Sequence, residues 1–228
     1  MATLIIGGTA GIGAAWAEHR RAQGEAVWVA GRRGGDWRVD VTDPESIQAL
    51  ADAVLAESEA LTSIINTVGF LHSDGVRPEK SIRQLDPANA LLSYQINALA
   101  PALIGKAFWS WLRKAERPVY ASLSARVGSI SDNRLGGWHS YRASKAAQNM
   151  MLTNLAIELR RVNPGATVVI MHPGTVDTDL SKPFQAGVAE GKLFTRPQAA
   201  AQLDEVLRSI EPAQSGLFVD WNHQRIAF

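Results

Sequence analysis

The sequence predicts one doubly wound α/β fold, with a mostly parallel, seven-stranded sheet and helices on both of its faces. Short apolar runs alternate with segments of helical periodicity along the whole chain, which is the pattern of stacked β-α-β units. A glycine-rich turn from Gly7 to Gly13 follows the first apolar run. Tyr141 and Lys145 lie four residues apart in a later helical segment, so they share one helix face.

Seven short apolar runs are predicted as strands because each is brief and apolar enough to be buried on both faces. They cover residues 3–6, 26–30, 37–39, 63–66, 118–122, 167–171 and 217–219. Helices are predicted to begin near five residues, which are Gly11, Asp43, Pro87, Gly137 and Arg196. The pairs Asp43-Pro44 and Asp86-Pro87 mark two of these starts, since each places an N-cap side chain before a proline at the first helical position.

Two helical segments, 97–112 and much of 143–159, are apolar on nearly every face. A helix with this pattern buries against more than its own sheet. We therefore expect these segments to form a subunit interface in a homodimer or homotetramer.

Length, composition and charge limit the number of domains and the kinds of partner that we expect. The chain has 228 residues, and we expect a single domain over residues 1–228. Its formal net charge of +1 gives no general attraction to nucleic acid or anionic membranes, so neither is an expected partner. It has no cysteine, and its five histidines lack metal-ligand spacing, so no metal is expected. The first residues enter an apolar run without a basic leader, and a cytoplasmic location is expected.

The glycine-rich turn is the first candidate binding site. Gly7, Gly11 and Gly13 follow a strand and open a helix, so backbone N–H groups can approach a pyrophosphate at the positive end of that helix. Thr9 and Ile12 lie in the same turn and are expected to contact the same ligand. Because the turn follows the first predicted strand, a dinucleotide site is favoured over a simple tight turn.

The end of the second predicted strand indicates which dinucleotide binds. Arg32 and Arg33 stand where NAD-binding folds commonly place an acidic residue. A guanidinium can hold a 2′-phosphate through two hydrogen bonds, so NADP(H) is favoured over NAD(H), with Arg32 ahead of Arg33. The alternative is that both arginines are solvated loop residues.

Two further strand ends carry candidate cofactor contacts. Asp40 and Val41 follow the third strand. The Asp40 carboxylate could accept a hydrogen bond from an adenine amino group, and the alternative is that Asp40 is only a turn residue. The run from Asn66 to Gly69 closes the fourth strand, at the edge where open α/β sheets gather ligands. Its small residues would let the backbone approach the cofactor.

Tyr141 and Lys145 form the candidate proton-transfer pair. A phenol has a pKa of about 10 and is a poor acid at neutral pH. An ammonium on the same helix face can favour the phenolate and ease proton exchange. This is the pairing that reduction of a carbonyl group needs.

Taken in order, these motifs resemble those of the short-chain dehydrogenase/reductase family, whose members have a Rossmann fold, over nearly the whole chain. The family's T-G-x-x-x-G-x-G turn is matched by residues 6–13, with Ile6 in place of the usual threonine. Its acidic adenine contact, N-x-x-G, Y-x-x-x-K, proline-glycine pair and downstream threonine are matched at Asp40, Asn66, Gly69, Tyr141, Lys145, Pro173, Gly174 and Thr178. Segments 124–130, 140–145 and 172–180 are similar to the C-factor-like branch, which includes the sniffer-type carbonyl reductases.

The resemblance implies an NADP(H)-dependent oxidoreductase that transfers a hydride between nicotinamide and a carbonyl or alcohol substrate, such as an aldehyde, ketone or quinone. It implies a cofactor-binding half of about residues 1–115 and a catalytic and substrate-binding half of about 116–228. Tyr141 would be the general acid and base. Lys145 would bind the ribose hydroxyls and lower the pKa of the phenol.

Four further positions receive roles from the same resemblance. Asn97 would relay protons through water, unless it is a helix-start residue, and Thr178 would hold the nicotinamide carboxamide, with Val176 beside it. Ser124 would hold the carbonyl oxygen. A gapless match onto Gly128 would put Ala125 there instead, so Ser122 and Ser129 stay alternatives to Ser124.

The segment 179–195 is expected to cover the substrate as a lid. Its apolar residues favour a moderately hydrophobic substrate, and they are Leu180, Phe184, Val188, Leu193 and Phe194. His139 and His172 lie near motifs and are expected to be structural. Two other functions stay open, a nucleotide-binding signalling or regulatory protein with little turnover and an NAD-linked alcohol dehydrogenase.

Overall fold

The computed structural model describes residues 2–57 and 60–228. These residues form nine strands, which are β1 (Ala2–Ile6), β2 (Ala26–Gly31), β3 (Trp37–Arg38), β4 (Leu61–Asn66), β5 (Val119–Leu123), β6 (Thr167–His172), β7 (Thr175–Val176), β8 (Leu193–Phe194) and β9 (Leu217–Asp220). They also form seven α-helices, which are α1 (Gly11–Ala22), α2 (Pro44–Glu57), α3 (Pro87–Tyr94), α4 (Ala100–Ala107), α5 (Trp109–Lys114), α6 (His139–Val162) and α7 (Arg196–Ser209). A π turn, Gln95–Leu99, joins α3 to α4.

Seven of the described strands build one sheet in the order β3-β2-β1-β4-β5-β6-β9. Every neighbouring pair in it is parallel, so the predicted fold class is confirmed. The chain runs outward from β1 in one direction and from β4 in the other. Ligands of such sheets bind at the carboxyl ends of the strands beside this reversal. The pair β7 and β8 forms a separate two-stranded sheet that the sequence did not predict.

The sheet separates two hydrophobic cores. Leu4 and Ile6 of β1 point into a core shared with α2, α4, α5 and α6, whereas Ile5 points into a core shared with α1 and α7. Alternate residues of a strand face opposite sides, so a strand covered on both sides needs an unbroken apolar run. This is why the strands were recognisable as short runs without polar alternation.

The aspartate-proline starts of two helices form as predicted. Asp43 accepts a hydrogen bond from the backbone N–H of Glu45 at 2.9 Å, and α2 begins at Pro44. Asp86 accepts one from the backbone N–H of Asn89 at 2.9 Å, and α3 begins at Pro87. Each proline takes a first-turn position where its missing N–H leaves no hydrogen bond broken.

The apolar segment 97–112 packs largely within the chain. Its helix α4 contacts both α2 and α6, and Ile104, Phe108 and Leu112 are fully buried. Neighbouring helices on two sides therefore account for most of its apolar faces. None of the helices in the described residues is long and apolar enough to cross a membrane.

A buried network of charged and polar side chains connects α1 to α7 on the face of the sheet that these two helices cover. The Asp204 carboxylate, 2% exposed, accepts hydrogen bonds from Nε1 of Trp16 at 2.7 Å and from Nε of Arg20 at 2.6 Å. Arg20 also donates to Oγ1 of Thr3 at 2.7 Å, which links the network to β1. Burial on its own would raise the pKa of Asp204, but these hydrogen bonds and the Arg20 charge hold that pKa below its usual value.

Replacing Asp204 with asparagine should lower the free energy of unfolding by about 3 kcal/mol, because it removes the nearer counter-charge of the buried Arg20 cation and leaves only the Glu25 carboxylate, at 3.5 Å. Chemical denaturation at neutral pH measures this. The matched control is Arg117→Gln, which breaks the exposed Arg117–Glu211 pair and should change the same quantity by less than about 1 kcal/mol. Equal effects of the two substitutions would contradict the assignment.

Candidate functional site

Two neighbouring cavities open at the carboxyl ends of the central strands. The first, a cleft of about 450 Å³, lies along the glycine turn and the ends of β2 and β4. The second, a pocket of about 220 Å³, surrounds Tyr141 and the end of β6. Ile12, Thr178 and Leu180 line both, so the two cavities share a wall.

The glycine turn is built for close backbone approach. Gly7 has φ +83°, and a Cβ there would lie 2.7 Å from Oγ1 of Thr67, while a Cβ on Gly13 would lie 2.5 Å from the carbonyl oxygen of Gly7. Only glycine fits these two positions. Gly11 has φ +57°, and a Cβ there would meet only Thr178, at 3.8 Å, so the space above it is open.

The first turn of α1 faces the cleft with unpaired donors. Its N-cap residue is Ala10, whose side chain cannot accept a hydrogen bond from the first backbone N–H groups of the helix. The first turn of this helix also holds no acidic residue. The N–H groups at a helix start attract anions. The turn therefore fits the pyrophosphate that the sequence led us to expect.

The far end of the cleft carries one cation and one anion. Arg32 and Asp40 line it, and the Asp40 carboxylate accepts hydrogen bonds from the hydroxyl and backbone N–H of Thr42, at 2.7 and 2.9 Å. These hydrogen bonds, with a smaller effect of Arg32, lower the pKa of Asp40. Arg33 is exposed and lies outside the cleft wall.

Gly69 forms a thin wall between the cleft and the buried polar residues behind it. A Cβ on Gly69 would lie 3.8 Å from Nζ of Lys145 and 3.8 Å from Oδ1 of Asn97. Asn97 is fully buried in the π turn, and its amide exchanges two hydrogen bonds with the backbone of Phe70, at 2.7 and 2.8 Å. Its side chain thus fixes the loop after Gly69 rather than marking a helix start.

Tyr141 lies in the second cavity near the beginning of α6. The residue is 8% exposed, and burial raises the pKa of its phenol. The Trp138 ring packs edge-on against it, with 6.1 Å between ring centroids. Such a phenol keeps its proton at neutral pH, which suits a proton donor.

Lys145 lies on the same helix face and is 3% exposed. Its ammonium donates to the carbonyl oxygen of Leu123 at 3.1 Å and to Oε1 of Gln148 at 2.9 Å. Nζ is 5.9 Å from the centroid of the Tyr141 ring. Burial lowers the pKa of Lys145 to about 7. The expected lowering of the Tyr141 pKa by Lys145 is not what the structure shows, because desolvation dominates both groups.

The three candidate serines occupy different places. Ser124 lines the pocket of Tyr141, is 4% exposed, and donates to Oδ1 of Asn149 at 2.7 Å. Ser122 is fully buried behind it and accepts hydrogen bonds from the amides of Asn66 and Gln148, each at 3.0 Å. Ser129 accepts a hydrogen bond from the backbone N–H of Asp132 at 3.1 Å. Of the three, Ser124 is the one on the wall of that pocket.

The start of α6 is held by a residue from a distant loop. Trp138, its N-cap, has φ +50°, and its backbone N–H donates to the carbonyl oxygen of Glu79. The Glu79 carboxylate accepts hydrogen bonds from the backbone N–H of Ser140 at 3.1 Å and from the Ser140 hydroxyl. Burial opposes ionisation of Glu79, but the Ser140 hydrogen bonds keep its pKa below the usual value.

The expected lid covers the pocket with part of its length. Leu180, Phe184 and Val188 line the pocket, and Phe184 packs against Trp138 with 5.0 Å between ring centroids. Leu193 and Phe194, also expected to favour a hydrophobic substrate, line neither cavity. These two residues form β8, which pairs with β7 instead.

The candidate site residues divide between the cavities as follows. The cleft is lined by Gly7, Thr9, Gly11, Ile12, Gly13, Arg32, Asp40, Val41, Gly69 and Thr178. The pocket is lined by Ile12, Ser124, Tyr141, Pro173, Gly174, Val176 and Thr178. The other four, Arg33, Asn66, Asn97 and Lys145, lie off both walls.

Comparison with known proteins identifies the family. A family model described as short chain dehydrogenase matches residues 35–189, which is more than half of the chain. The chain belongs to the short-chain dehydrogenase family. Its members are oxidoreductases. The 1-hydroxy-2-glutathionyl-2-methyl-3-butene dehydrogenase of Rhodococcus sp. (strain AD45) is 34% identical over 180 residues, which cover 79% of this chain and 74% of that protein.

Other known proteins are also similar to this chain. C-signal of Myxococcus xanthus is 30% identical over 141 residues, which cover 62% of this chain and 80% of that protein. The structure of NADPH-bound carbonyl reductase from chicken fatty liver matches with a TM-score of 0.85 at 26% identity, over 100% of this chain and 98% of that chain. The carbonyl reductase Sniffer of D. melanogaster matches with a TM-score of 0.85 at 20% identity, over 100% and 99%, and shows the shared fold.

Several residues of this short-chain dehydrogenase site were not found by sequence motifs. Trp138, Leu71 and Arg126 line the pocket, and Glu79 anchors the helix that carries Tyr141. His172, expected to be structural, also lines the pocket, and burial lowers its pKa to about 4, so the ring is neutral at neutral pH. Among the described residues, its buried Nδ1 has no hydrogen-bond partner.

Replacing Glu79 with alanine should loosen the first turn of α6, because the amide and hydroxyl of Ser140 lose their acceptor. We expect faster amide hydrogen exchange over residues 138–142 and a fall of about 2 kcal/mol in the free energy of unfolding. Glu158→Ala, at an exposed carboxylate on the same helix, is the control and should change neither. Unaltered exchange at residues 138–142 in the Glu79 variant would refute the anchoring role.

Proposed function

We propose that this protein is an NADP(H)-dependent carbonyl reductase in which Tyr141 is the general acid. The observation that carries the proposal is the wall shared by the cleft and the pocket. A dinucleotide lying along the glycine turn reaches that wall at Ile12 and Thr178, and Tyr141 and Ser124 lie beyond it. A hydride donor and a proton donor would thus meet on one substrate.

The residues that would hold the dinucleotide follow from the cleft. The N–H groups of the glycine turn would bind the pyrophosphate, and Asp40 and Val41 would contact the adenine. Arg32 would bind the 2′-phosphate, with Arg33 as a more distant positive charge. Asn66 and Gly69 would support the middle of the cofactor, and Pro173, Gly174, Val176 and Thr178 would border its nicotinamide end. When bound, NADPH supplies the hydride.

The proton chemistry is assigned to Tyr141, with Lys145 and Asn97 behind it. A phenol whose pKa is raised by burial is protonated at working pH and can donate to an alkoxide as negative charge develops. Ser124 would hold the oxygen on which this charge grows. Lys145, with a pKa near 7, would bind the ribose hydroxyls beside Gly69, whose missing side chain leaves Nζ close to the cleft, and would stabilise the phenolate after transfer. Asn97 would shape the path of water molecules through which Tyr141 regains its proton.

The pocket favours a small, moderately hydrophobic carbonyl compound. Its volume of about 220 Å³ lies below the range of about 300–1,000 Å³ usual for ligand pockets. Trp138, Phe184 and Val188 give it apolar walls, which suit an aldehyde, ketone or quinone. The Rhodococcus relative carries the name of a dehydrogenase for a glutathionyl alcohol, so such a conjugate belongs in the same substrate panel.

A nucleotide-binding signalling role is the second candidate, and the similarity to C-signal favours it. The pocket beside Tyr141 favours turnover instead, since a protein that only binds nucleotide needs no such pocket. The homodimer or homotetramer, the single domain and the cytoplasmic location stay predictions. Met150 and Ile157, which are 63% and 45% exposed, are apolar side chains of the segment 143–159 that a subunit interface would cover.

Tyr141→Phe removes only the hydroxyl, so kcat for reduction should fall by about 10²-fold or more while NADPH binding is kept. Oxidation of NADPH with a panel of aldehydes, ketones and quinones measures turnover, and fluorescence titration measures binding. Tyr94→Phe, at a partly exposed tyrosine on α3, is the control. Unchanged turnover in the Tyr141 variant would overturn the mechanism, and binding without turnover in the natural chain would favour the signalling role.

Arg32→Ala should weaken NADPH binding about tenfold or more and leave NADH binding nearly unchanged, because only NADPH carries the 2′-phosphate. Arg33→Ala should cause a smaller loss, since Arg33 lies outside the cleft wall. Dissociation constants for both nucleotides with each variant provide the comparison. A natural preference for NADH that Arg32→Ala leaves alone would instead support the NAD-linked alcohol dehydrogenase.

A further inference from the structure

Two consecutive amide side chains, Gln148 and Asn149, lie on α6 just beyond Lys145. They are 0% and 1% exposed. A buried amide is costly unless its polar atoms are hydrogen bonded, so their partners indicate what they do. Because neighbouring residues of a helix point about 100° apart, the two amides reach different elements.

Gln148 holds the ammonium of Lys145. Its Oε1 accepts from Nζ at 2.9 Å, and its Nε2 donates to the carbonyl oxygen of Leu123 at 3.1 Å, the same oxygen that accepts from Nζ at 3.1 Å. Nε2 also donates to Oγ of Ser122 at 3.0 Å. The lysine, the amide and the end of β5 thus form one closed set of hydrogen bonds, which fixes Nζ behind Gly69.

Asn149 holds the hydroxyl of Ser124. Its Oδ1 accepts from Oγ at 2.7 Å. Gly128 lies on the same side of the helix, and a Cβ there would lie 2.9 Å from the backbone of Lys145, so this turn and α6 are in close contact. The Ser124 oxygen is therefore placed on the pocket wall by an amide that lies behind the wall.

We propose that Gln148 and Asn149 are positioning residues of the reductase, with Gln148 holding Lys145 and Asn149 holding Ser124. The proposal rests on the function proposed above. Neither amide lines the cleft or the pocket, so each acts through its neighbour and not by touching substrate or nucleotide.

Gln148 is the side chain through which the pKa of Lys145 can be changed by substitution, because its amide accepts a hydrogen bond from Nζ. Tyr141 on α6 is the titratable side chain nearest Lys145 among the contacts of the described residues, and the elements packed around it also carry Tyr120 on β5, His172 on β6, Tyr94 on α3 and Arg126 in the turn before α6. The Tyr120 hydroxyl donates to the carbonyl oxygen of Pro101 at 2.6 Å. Arg126 pairs with Asp132 and Asp220, at 3.3 and 2.9 Å. Among the described residues no carboxylate contributes to the shifted pKa of Lys145, which burial alone lowers.

Opposite changes at residue 148 should therefore move the Lys145 pKa in opposite directions. Gln148→Leu removes an acceptor and favours the neutral amine, so the pKa should fall by about one pH unit. Gln148→Glu adds a negative charge beside the ammonium, so the pKa should rise by about one unit. The measurement is an NMR titration of the lysine side-chain ¹³Cε signals in the full chain, which has only six lysines, with Lys145→Met to assign the signal.

The pH dependence of kcat should follow the titration. The fall of the reductase rate at alkaline pH should begin at lower pH in Gln148→Leu and at higher pH in Gln148→Glu. A merely structural glutamine would lower the rate at every pH and leave the Lys145 titration where it is in the natural chain. That result, or shifts of the same sign in both variants, would overturn the role of Gln148.

Asn149 is tested by a conservative pair. Asn149→Leu removes the acceptor of the Ser124 hydroxyl, so kcat should fall about tenfold with little change in KM for NADPH. Asn149→Asp keeps an acceptor oxygen and should restore most of the rate. Equal loss in both variants, with both folded by circular dichroism, would contradict the role of Asn149.

The titration also separates this proposal from the proposed function. It needs no substrate, so shifted Lys145 titrations in a chain that reduces no carbonyl would disprove the reductase and leave the Gln148 contact standing. Unshifted titrations in an active reductase would disprove the role of Gln148 alone.

Discussion

The contact between α6 and the carboxyl end of β5 is the constraint on which the rest of the site depends. Gly128 has no side chain, so the turn after β5 can touch the backbone of Lys145. The Leu123 carbonyl oxygen then accepts hydrogen bonds from both Lys145 and Gln148. This contact brings a serine from a strand and a tyrosine from a helix to one pocket.

Burial at this contact shifts the pKa values of the two titratable groups in opposite directions. It favours the neutral phenol of Tyr141 and the neutral amine of Lys145, so both groups resist charge. Hydrogen bonds to Leu123 and Gln148 work against this for Lys145, because they favour the ammonium. The proposed chemistry uses this balance, since the acid must hold its proton before transfer and the phenolate must be stabilised afterwards. The pair thus works through a low-polarity environment more than through a permanently charged lysine.

The sequence predicted those features that local patterns determine. The glycine turn was recognisable because positive φ and close approach at Gly7 require glycine, and two helix starts because Asp43 and Asp86 cap their own helices. The strands followed from burial on both faces. These signals lie within a few residues of the structure that they produce.

Features that depend on distant residues were missed. Glu79 anchors α6 from 61 positions away, and Trp138 takes φ +50°, which a tryptophan rarely adopts. Gln148 and Asn149 are ordinary helix residues until β5 packs beside them. The pairing of β7 with β8 likewise depends on two short segments that are separate in the sequence. The balance of charge and burial at Tyr141 could be judged only once its surroundings were known.

A crystal structure of the chain with NADPH tests the central claim most directly. The account predicts the adenosine end beside Arg32 and Asp40 and the nicotinamide at the wall of Ile12 and Thr178, with the Tyr141 hydroxyl on the same side as its reactive carbon. A nucleotide bound in the reverse direction, or a nicotinamide turned away from the Tyr141 pocket, would contradict it.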